Sequence, residues 1–257
     1  MAVVTTSRRP AKRELERAMK MVRLLCGDFL PREGRSLKRM MEEADVSGIV
    51  VVASEETWWE DRMGNRFRFH PNLAAIRVKE LVGGGGDALV TAANLKQGDR
   101  VLDCTLGLGA DSIVAAHVVG EKGEVIGLES QPLIAALVED GMKHYASGSS
   151  RLRRAMGSVR VVCADYRVTL PRLEDQSFDV VMFDPMFRNT VKRSSGIQML
   201  KELADPNPLD PDSVREAVRV ARKRVVLKER LMSGEFERLG FRVVKEASNH
   251  AFGIIEP

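Results

Sequence analysis

Three acidic residues, Asp103, Glu129 and Asp165, each follow a short apolar segment of the kind that forms a buried strand. A carboxylate at the end of a strand accepts hydrogen bonds from both hydroxyls of a ribose, and Glu129 suits that role. Asp165 is placed to accept a hydrogen bond from an adenine amino group, with Tyr166 packed against the ring. Three such strand ends in sequence predict a binding site for a nucleoside.

The loop between Asp103 and Asp111 carries two glycines, Gly107 and Gly109. Glycines at this spacing let the backbone turn tightly and approach a ligand closely. Ser112 stands where a dinucleotide-binding loop has its third glycine. Asp103 and Asp111 would repel a pyrophosphate, whereas they suit the sulfonium and ammonium groups of S-adenosylmethionine (SAM). The loop therefore favours SAM over NAD as the cofactor.

A fourth apolar segment, Phe178–Phe183, runs directly into the sequence Asp184-Pro185-Met186-Phe187. An amine on an aromatic ring is a poor nucleophile because its lone pair is delocalised. Asp184 and the backbone carbonyl of Pro185 can each accept one of its N–H groups, while Phe187 stacks on the base. This element predicts methyl transfer to a planar exocyclic amine. The alternative interpretation is a structural turn with Phe187 in the core.

Basic residues point to a polyanionic partner. Lys and Arg outnumber Asp and Glu by 11 to 4 within residues 1–39, and the cations Arg188, Lys192 and Arg193 follow the Asp184–Phe187 element. Clustered cations raise the affinity for RNA phosphates, so we expect these three residues to contact RNA. A solvated helix surface explains the N-terminal excess equally well.

Apolar periodicity divides the chain into two blocks that position these residues. Residues 1–80 predict a small N-terminal α+β module: helices at 10–25 and 35–44, a strand at 48–53, a hairpin at 57–70 and a helix at 71–82. Residues 81–257 alternate strands with helices, including a helix at 212–222. The seven predicted strands cover 101–103, 125–128, 159–163, 178–183, 224–228, 241–245 and 251–255. This order predicts a doubly wound, mainly parallel, Rossmann-like α/β sheet, in which strand ends gather at one edge.

Composition excludes several classes of protein. The 257 residues are 44% hydrophobic, which is typical of a globular chain, and contain no apolar run long enough to cross a membrane. The three cysteines are scattered and the four histidines lack ligand spacing, so we expect no metal site. Scattered cysteines also fit a cytoplasmic location.

Four motifs together resemble the RsmJ-type methyltransferases: the 103–111 loop, the glycine run before Asp87, the Asp184–Phe187 element and the Lys223–Lys228 segment. The resemblance spans about residues 80–257. It implies a class I fold, SAM as cofactor and methylation of guanine N2 in small-subunit (16S) ribosomal RNA. It also implies cofactor-pocket positions at Ala110, Asp111, Glu129, Ser130, Asp165, Tyr166 and Asp184. Residues 1–80 differ from the short N-terminus of that family.

Three other functions stay open at this point. A non-catalytic RNA-binding or assembly protein can retain the same fold, and the basic N-terminus favours it. A methyltransferase of this fold can also act on another substrate. A nucleotide-dependent oxidoreductase is the third alternative, against which Ser112 and the Asp184–Phe187 element argue.

Overall fold

The computed structural model describes residues 2–185, 207–247 and 249–257, and these form two β-sheets. The N-terminal sheet contains β1 (Val3–Thr6), β2 (Asp28–Phe29), β3 (Gly48–Val52), β4 (Thr57–Asp61) and β5 (Arg66–Arg68). The central sheet contains β6 (Arg100–Asp103), β7 (Glu124–Glu129), β8 (Val159–Cys163), β9 (Phe178–Phe183), β10 (Ala221–Glu229), β11 (Arg242–Glu246) and β12 (Ala251–Ile255).

The described residues also form ten α-helices. These are α1 (Lys12–Leu25), α2 (Leu37–Glu43), α3 (Asn72–Val82), α4 (Ala88–Ala93), α5 (Ala110–Val119), α6 (Pro132–His144), α7 (Ser150–Ser158), α8 (Tyr166–Thr169), α9 (Pro211–Val220) and α10 (Glu235–Leu239). Each of them is too short or too polar to span a lipid bilayer. Asp87 caps α4 by accepting a hydrogen bond from the Val90 N–H at 3.1 Å.

The central sheet has the strand order β11-β12-β10-β9-β6-β7-β8. Strands β6 to β10 are parallel, whereas β12 runs antiparallel between β10 and β11. The prediction of a seven-stranded, mainly parallel sheet is therefore confirmed. After β6, the chain forms β7 and β8 on one side of β6 and then crosses back to form β9 on its other side. Ligands of such sheets bind where the order reverses, beyond the carboxyl ends of these three strands.

Alternation along the strands buries the central sheet on both faces. On β9, Val180 and Met182 pack into one apolar cluster with α5 and α6, while Val181 and Phe183 pack into another with α9. A strand with a period of two presents successive side chains to opposite faces, so both faces of the sheet need covering helices. This packing fixes where β9 ends and thus where Asp184 lies.

The N-terminal sheet is mixed, with the order β2-β1-β3-β4-β5. The predicted hairpin is present, and along its second arm Phe67 and Phe69 are buried whereas Arg66 and Arg68 are exposed. Sequence reasoning missed β1, because four residues without a turn signal carry little periodicity. β1 becomes a buried interior strand by pairing in parallel with β2 on one side and, on the other, with β3, more than 40 residues along the chain.

The two sheets share apolar packing and a buried ion pair. Met21 of α1 and Phe67 of β5 belong to the same apolar cluster as residues of α5 and α6. Arg17 on α1 donates to both carboxylate oxygens of Asp140 on α6, at 3.3 and 2.7 Å, and Thr57 donates to Asp140 at 2.7 Å. The N-terminal sheet is thereby fixed against the helices that cover the central sheet.

One predicted helix end is wrong. The pattern predicts a helix through residue 222, but α9 ends at Val220 and β10 begins at Ala221, which pairs with Phe178 of β9. Pairing with the neighbouring strand outweighs the helical periodicity of the sequence here. A register irregularity between Ala221 and Arg224 accommodates the early start.

Candidate functional site

The loop after β6 is held in shape by the buried side chain of Asp103. Its carboxylate accepts hydrogen bonds from the Thr105 N–H at 3.0 Å and from Ser112 Oγ at 2.7 Å. Ser112, the residue at the third glycine position, therefore fastens α5 to the end of β6. Burial raises the pKa of Asp103 to about 7, against the lowering effect of the Ser112 hydrogen bond.

The two glycines of the loop serve different purposes. Both have positive φ, +49° at Gly107 and +72° at Gly109, a conformation that side chains disfavour. A Cβ at Gly109 would lie 2.2 Å from Met142 Cε, the end of a flexible side chain that would have to move, so the positive φ is the main reason for a glycine there. At Gly107 the nearest atom would be 3.9 Å away, so this position is open to a ligand.

Glu129 ends β7 with its carboxylate directed at the glycine loop. Glu129 Oε2 accepts a hydrogen bond from the Gly107 N–H at 3.1 Å, and Oε1 accepts one from the Gln131 N–H at 2.9 Å. The side chain is buried, and these two contacts fix its orientation. A carboxylate held this way retains acceptor capacity for the paired hydroxyls of a ribose.

Asp184, at the end of β9, is joined to the same loop from the other side. Its backbone N–H donates to Thr105 Oγ1 at 2.6 Å. Because β6 lies between β7 and β9, one loop contacts both Glu129 and Asp184. The loop after β6 therefore contacts the Glu129 side chain on one side and the Asp184 backbone on the other.

A line of alternating charges leads away from Asp184. Asp184 Oδ2 accepts from Lys228 Nζ at 2.6 Å, and the same ammonium donates to Asp111 Oδ2 at 3.0 Å. Asp111 Oδ1 is bonded to Arg77, which also donates to both oxygens of Asp87, at 2.7 and 3.0 Å. Register explains the first contact: Phe183 pairs with Leu227, so the next residues, Asp184 and Lys228, lie side by side.

These contacts set the pKa values of the two acids in opposite directions. Although burial alone raises it, Lys228 and Arg77 hold the pKa of Asp111 far below its ordinary value. Burial raises the pKa of Asp184 to about 6, with Lys228 opposing that rise and Asp111 adding to it. Asp184 is therefore mainly a carboxylate at neutral pH, with an affinity for protons well above that of an exposed aspartate.

The third strand end differs from its neighbours. Asp165 caps α8, and its two oxygens accept hydrogen bonds from the backbone and guanidinium of Arg167 at 2.6–3.0 Å. Tyr166 is buried edge-on against Phe183, and burial raises the pKa of its hydroxyl to about 12. The adenine contacts expected of Asp165 and Tyr166 stay predictions.

The fold and this geometry can be compared with known proteins. A family model described as "Putative SAM-dependent methyltransferase" matches residues 64–255. This chain belongs to that methyltransferase family.

Individual relatives agree with the family assignment. The methyltransferase is 37% identical over 255 residues to the Bacillus subtilis protein named "Uncharacterized protein YpiP", covering 99% of both chains. It is 34% identical over 188 residues to ribosomal RNA small subunit methyltransferase J of Actinobacillus pleuropneumoniae, covering 66% of this chain and 72% of that protein. These matches confirm the RsmJ-like resemblance. The crystal structure of the SAM-dependent methyltransferase NGO1261 from Neisseria gonorrhoeae matches with a TM-score of 0.64 at 16% identity, covering 100% of this chain and 96% of that one, and shows the same fold.

Other predicted site residues of the methyltransferase lie near this crevice or outside the described residues. Ala110 opens α5, Ser130 follows Glu129, and the half-buried Pro185 follows Asp184. Four predicted residues lie outside the part of the chain that the structure describes: Phe187, Arg188, Lys192 and Arg193. Within the described residues, no group of three or more His, Cys, Asp or Glu side chains is arranged to hold a metal ion.

The structure changes the electrostatic part of the sequence argument. Asp111 was expected to offer negative charge to a cationic ligand, but Arg77 and Lys228 already occupy both of its oxygens. Sequence reasoning missed Arg77 altogether and named Lys228 only as the end of the Lys223–Lys228 motif. The one sequence signal for Lys228 was its place at the end of the apolar strand pattern in the Lys223–Lys228 motif. Arg77 lies within an ordinary helical pattern and gave none.

A hollow of about 440 Å³ lies elsewhere on the methyltransferase, at the far end of α5. His117, Lys122, Arg151 and Arg154 are among its lining residues, and none of the strand-end carboxylates contributes to it. We therefore place the candidate site not at this hollow but at the strand ends, where the polar groups converge and where ligands of this fold bind.

Proposed function

We propose that this methyltransferase transfers a methyl group from SAM to an exocyclic amine of a nucleobase in RNA, with guanine N2 of small-subunit ribosomal RNA as the first candidate. The observation that carries the proposal is the single loop that contacts Glu129 through Gly107 and Asp184 through Thr105. The relatives named ribosomal RNA small subunit methyltransferase J support the choice of RNA.

The residues of the crevice fit SAM. Glu129 is oriented to accept the ribose hydroxyls, and the open position at Gly107 gives the cofactor room beside the backbone. When bound, SAM supplies an electrophilic methyl group on a cationic sulfur. The negative charges of Glu129 and Asp184 favour a cationic group such as the sulfonium of SAM over a phosphate.

Asp184 then prepares the acceptor amine. Its carboxylate accepts one N–H of the amine, and the Pro185 carbonyl accepts the other, so the lone pair is directed toward the methyl group. The lone pair forms the new N–C bond while the S–C bond breaks with its electrons going to sulfur. The nitrogen then carries one surplus proton, which passes to Asp184. A carboxyl whose pKa is about 6 is well matched to accept that proton at neutral pH.

The N-terminal module supports RNA as the partner. β1 and β2 are parallel, so Arg8 and Arg32, which follow them, lie at the same edge of the sheet. Burial and the charge of Arg8 lower the pKa of Arg32, and Arg66 on β5 adds to this effect. Arg8 and Arg66 each lie close enough to Arg32 to affect its pKa, and Glu60, which pairs with Arg66 at 2.7 Å, partly offsets their charge. We propose that residues 1–80 use this edge to contact RNA phosphates, in the cytoplasm where ribosomal RNA is modified.

The deciding experiment combines binding with mapping of the product. Calorimetry with S-adenosylhomocysteine tests the crevice, and we expect micromolar or tighter binding. Mass mapping of ribosomal RNA from cells with and without the gene then identifies the methylated nucleotide. A modified guanine that disappears with the gene supports the proposal. Salt-dependent RNA binding with no transfer of labelled methyl would instead support the non-catalytic alternative.

A further inference from the structure

The ammonium of Lys228 is shared between two acids that belong to different parts of the site. Lys228 Nζ lies 2.6 Å from Asp184 at the end of β9 and 3.0 Å from Asp111 in the first turn of α5. Its side chain is only 19% exposed, so the charge is largely removed from water. A cation in that position is stabilised only as long as both carboxylates face it.

We propose that Lys228 is a positioning residue, which holds the Asp184 carboxylate against the substrate amine and couples it through Asp111 to the loop that binds the cofactor. This inference rests on the proposed function, because Asp184 is taken as the group that contacts the amine. Lys228 itself contacts neither substrate nor cofactor in this scheme. Its role is to fix the position and the proton affinity of its neighbour.

The arrangement explains why the sheet places a lysine there. The backbone N–H of Asp184 is held by its hydrogen bond to Thr105 Oγ1 at the end of β9. The Lys228 bond adds a second anchor, on the side chain, from the adjacent strand. Asp111 in turn is anchored by Arg77, which is fixed to the N-cap residue Asp87. Residues of β10, α5 and α3 thus hold the Asp184 side chain in place together.

The same arrangement makes opposite predictions for the two neighbours of Asp184. Lys228 stabilises the ionised form of Asp184, so removing that charge raises the pKa of Asp184. Asp111 disfavours the ionised form, so removing that charge lowers the pKa of Asp184. The other titratable groups that interact with Asp184, Lys228 or Asp111 include Asp103, Glu229, Arg77, Asp87 and His250. None of them is altered by the two substitutions.

The test compares K228M, K228R and D111N with the wild type. Aspartate is labelled with ¹³C at its side-chain carboxyl, the Asp184 signal is assigned with D184N, and its titration is followed by NMR. We expect the midpoint to rise by about 1–3 pH units in K228M, to fall in D111N and to change little in K228R. The acid limb of the pH–rate profile should move in the same directions.

Lys223 provides a matched control on the same strand. Its ammonium also contacts two carboxylates, Asp99 at 2.6 Å and Asp179 at 3.2 Å, but at the opposite end of β10. K223M should leave the Asp184 titration and the pH–rate profile unchanged, whatever it does to the melting temperature. S-adenosylhomocysteine affinity should stay within about threefold of wild type in K228M.

The outcomes separate the inference from the function. An unchanged Asp184 midpoint in folded K228M, or shifts of the same sign in K228M and D111N, would overturn the role of Lys228. If K228M does not fold, D111N still tests the sign of the coupling. If the wild type transfers no methyl to RNA while the two midpoints shift as expected, the proposed function fails and the coupling stands.

Discussion

The backbone N–H of Gly107 and the carboxylate of Glu129 are joined by a hydrogen bond of 3.1 Å. This contact connects the turn after β6 to the end of β7, so the glycine loop and the acid on the next strand act as one surface. Thr105, two residues before Gly107, accepts a hydrogen bond from the backbone N–H of Asp184, which directly follows β9. We therefore expect a cofactor bound on the loop to lie close to both acids.

Glu129 is predicted to carry much of the cofactor affinity. E129Q keeps the size of the side chain but removes the charge that strengthens hydrogen bonds to the ribose, so the affinity for S-adenosylhomocysteine should fall about 10- to 100-fold. Calorimetry measures this change. The control is E124Q, at the other end of the same strand, where Glu124 pairs with Arg100. Equal losses in the two variants would contradict the assignment of Glu129.

The two glycines should respond differently to alanine. G109A forces a positive φ and requires the end of the Met142 side chain to move, so the free energy of unfolding should fall by about 1–3 kcal/mol. G107A meets open space and costs about 1 kcal/mol for its φ alone, yet its methyl group intrudes where the cofactor binds. Denaturant unfolding and calorimetry together measure both effects. A G107A variant with wild-type cofactor affinity would show that the ligand lies elsewhere.

Asp184 is predicted to be essential for transfer and dispensable for cofactor binding. D184N keeps the shape and the backbone contact with Thr105 but cannot accept the amine proton. The rate constant for methyl transfer should fall at least 100-fold, a loss typical of removing an oriented polar group. S-adenosylhomocysteine affinity should change by less than about threefold. Survival of transfer in D184N would refute the proposed chemistry.

The rate should depend on pH through the same residue. Only the ionised form of Asp184 accepts the amine proton, and burial raises its pKa to about 6. The rate of methyl transfer should be constant well above pH 6 and should fall as the pH drops through about 6. The decrease should approach tenfold for each further pH unit. Asp103 titrates at about pH 7 beside the loop, so cofactor affinity is measured over the same range to separate its contribution. A rate that holds down to pH 5 contradicts the role of Asp184.

The buried pair between Arg17 and Asp140 should stabilise the junction of the two sheets. R17M leaves Asp140 buried without its main partner and should lower the free energy of unfolding by about 3–5 kcal/mol at pH 7. The control is K20M, which removes a more exposed contact between the same two helices, Lys20 with Glu139, and should cost under about 1 kcal/mol.

Lowering the pH should reduce the difference in the free energy of unfolding between R17M and the wild type. Burial alone raises the pKa of Asp140, but hydrogen bonds from Arg17 and Thr57 bring it below its ordinary value. A depressed folded pKa contributes stability above the unfolded pKa, about 3.9, and loses it as the pH falls through the folded value. The gap between the two proteins should therefore narrow below about pH 4. A gap independent of pH would show that the charge of Asp140 is not involved.

The positions of Asp103, Glu129 and Asp184 followed from the sequence because they depend on local pattern. Each acid ends an apolar run, and parallel strands of one sheet present their carboxyl ends at one edge. The positive φ of Gly107 and Gly109 and the cap at Asp87 are equally local, since neighbouring residues decide them. Fold class, cofactor and the general reaction were therefore readable from the chain itself.

The line of alternating charges from Asp184 through Lys228 and Asp111 to Arg77 was decided only by the tertiary structure. Arg77 meets Asp111 across 34 positions, and Lys228 meets Asp111 across 117. No periodicity links residues that far apart, because their contact depends on strand register and on how α3 packs against α5. Sequence alone showed Asp111 as a free acid facing a ligand. Folding placed two cations against it, since a buried carboxylate is stable only when its charge is compensated.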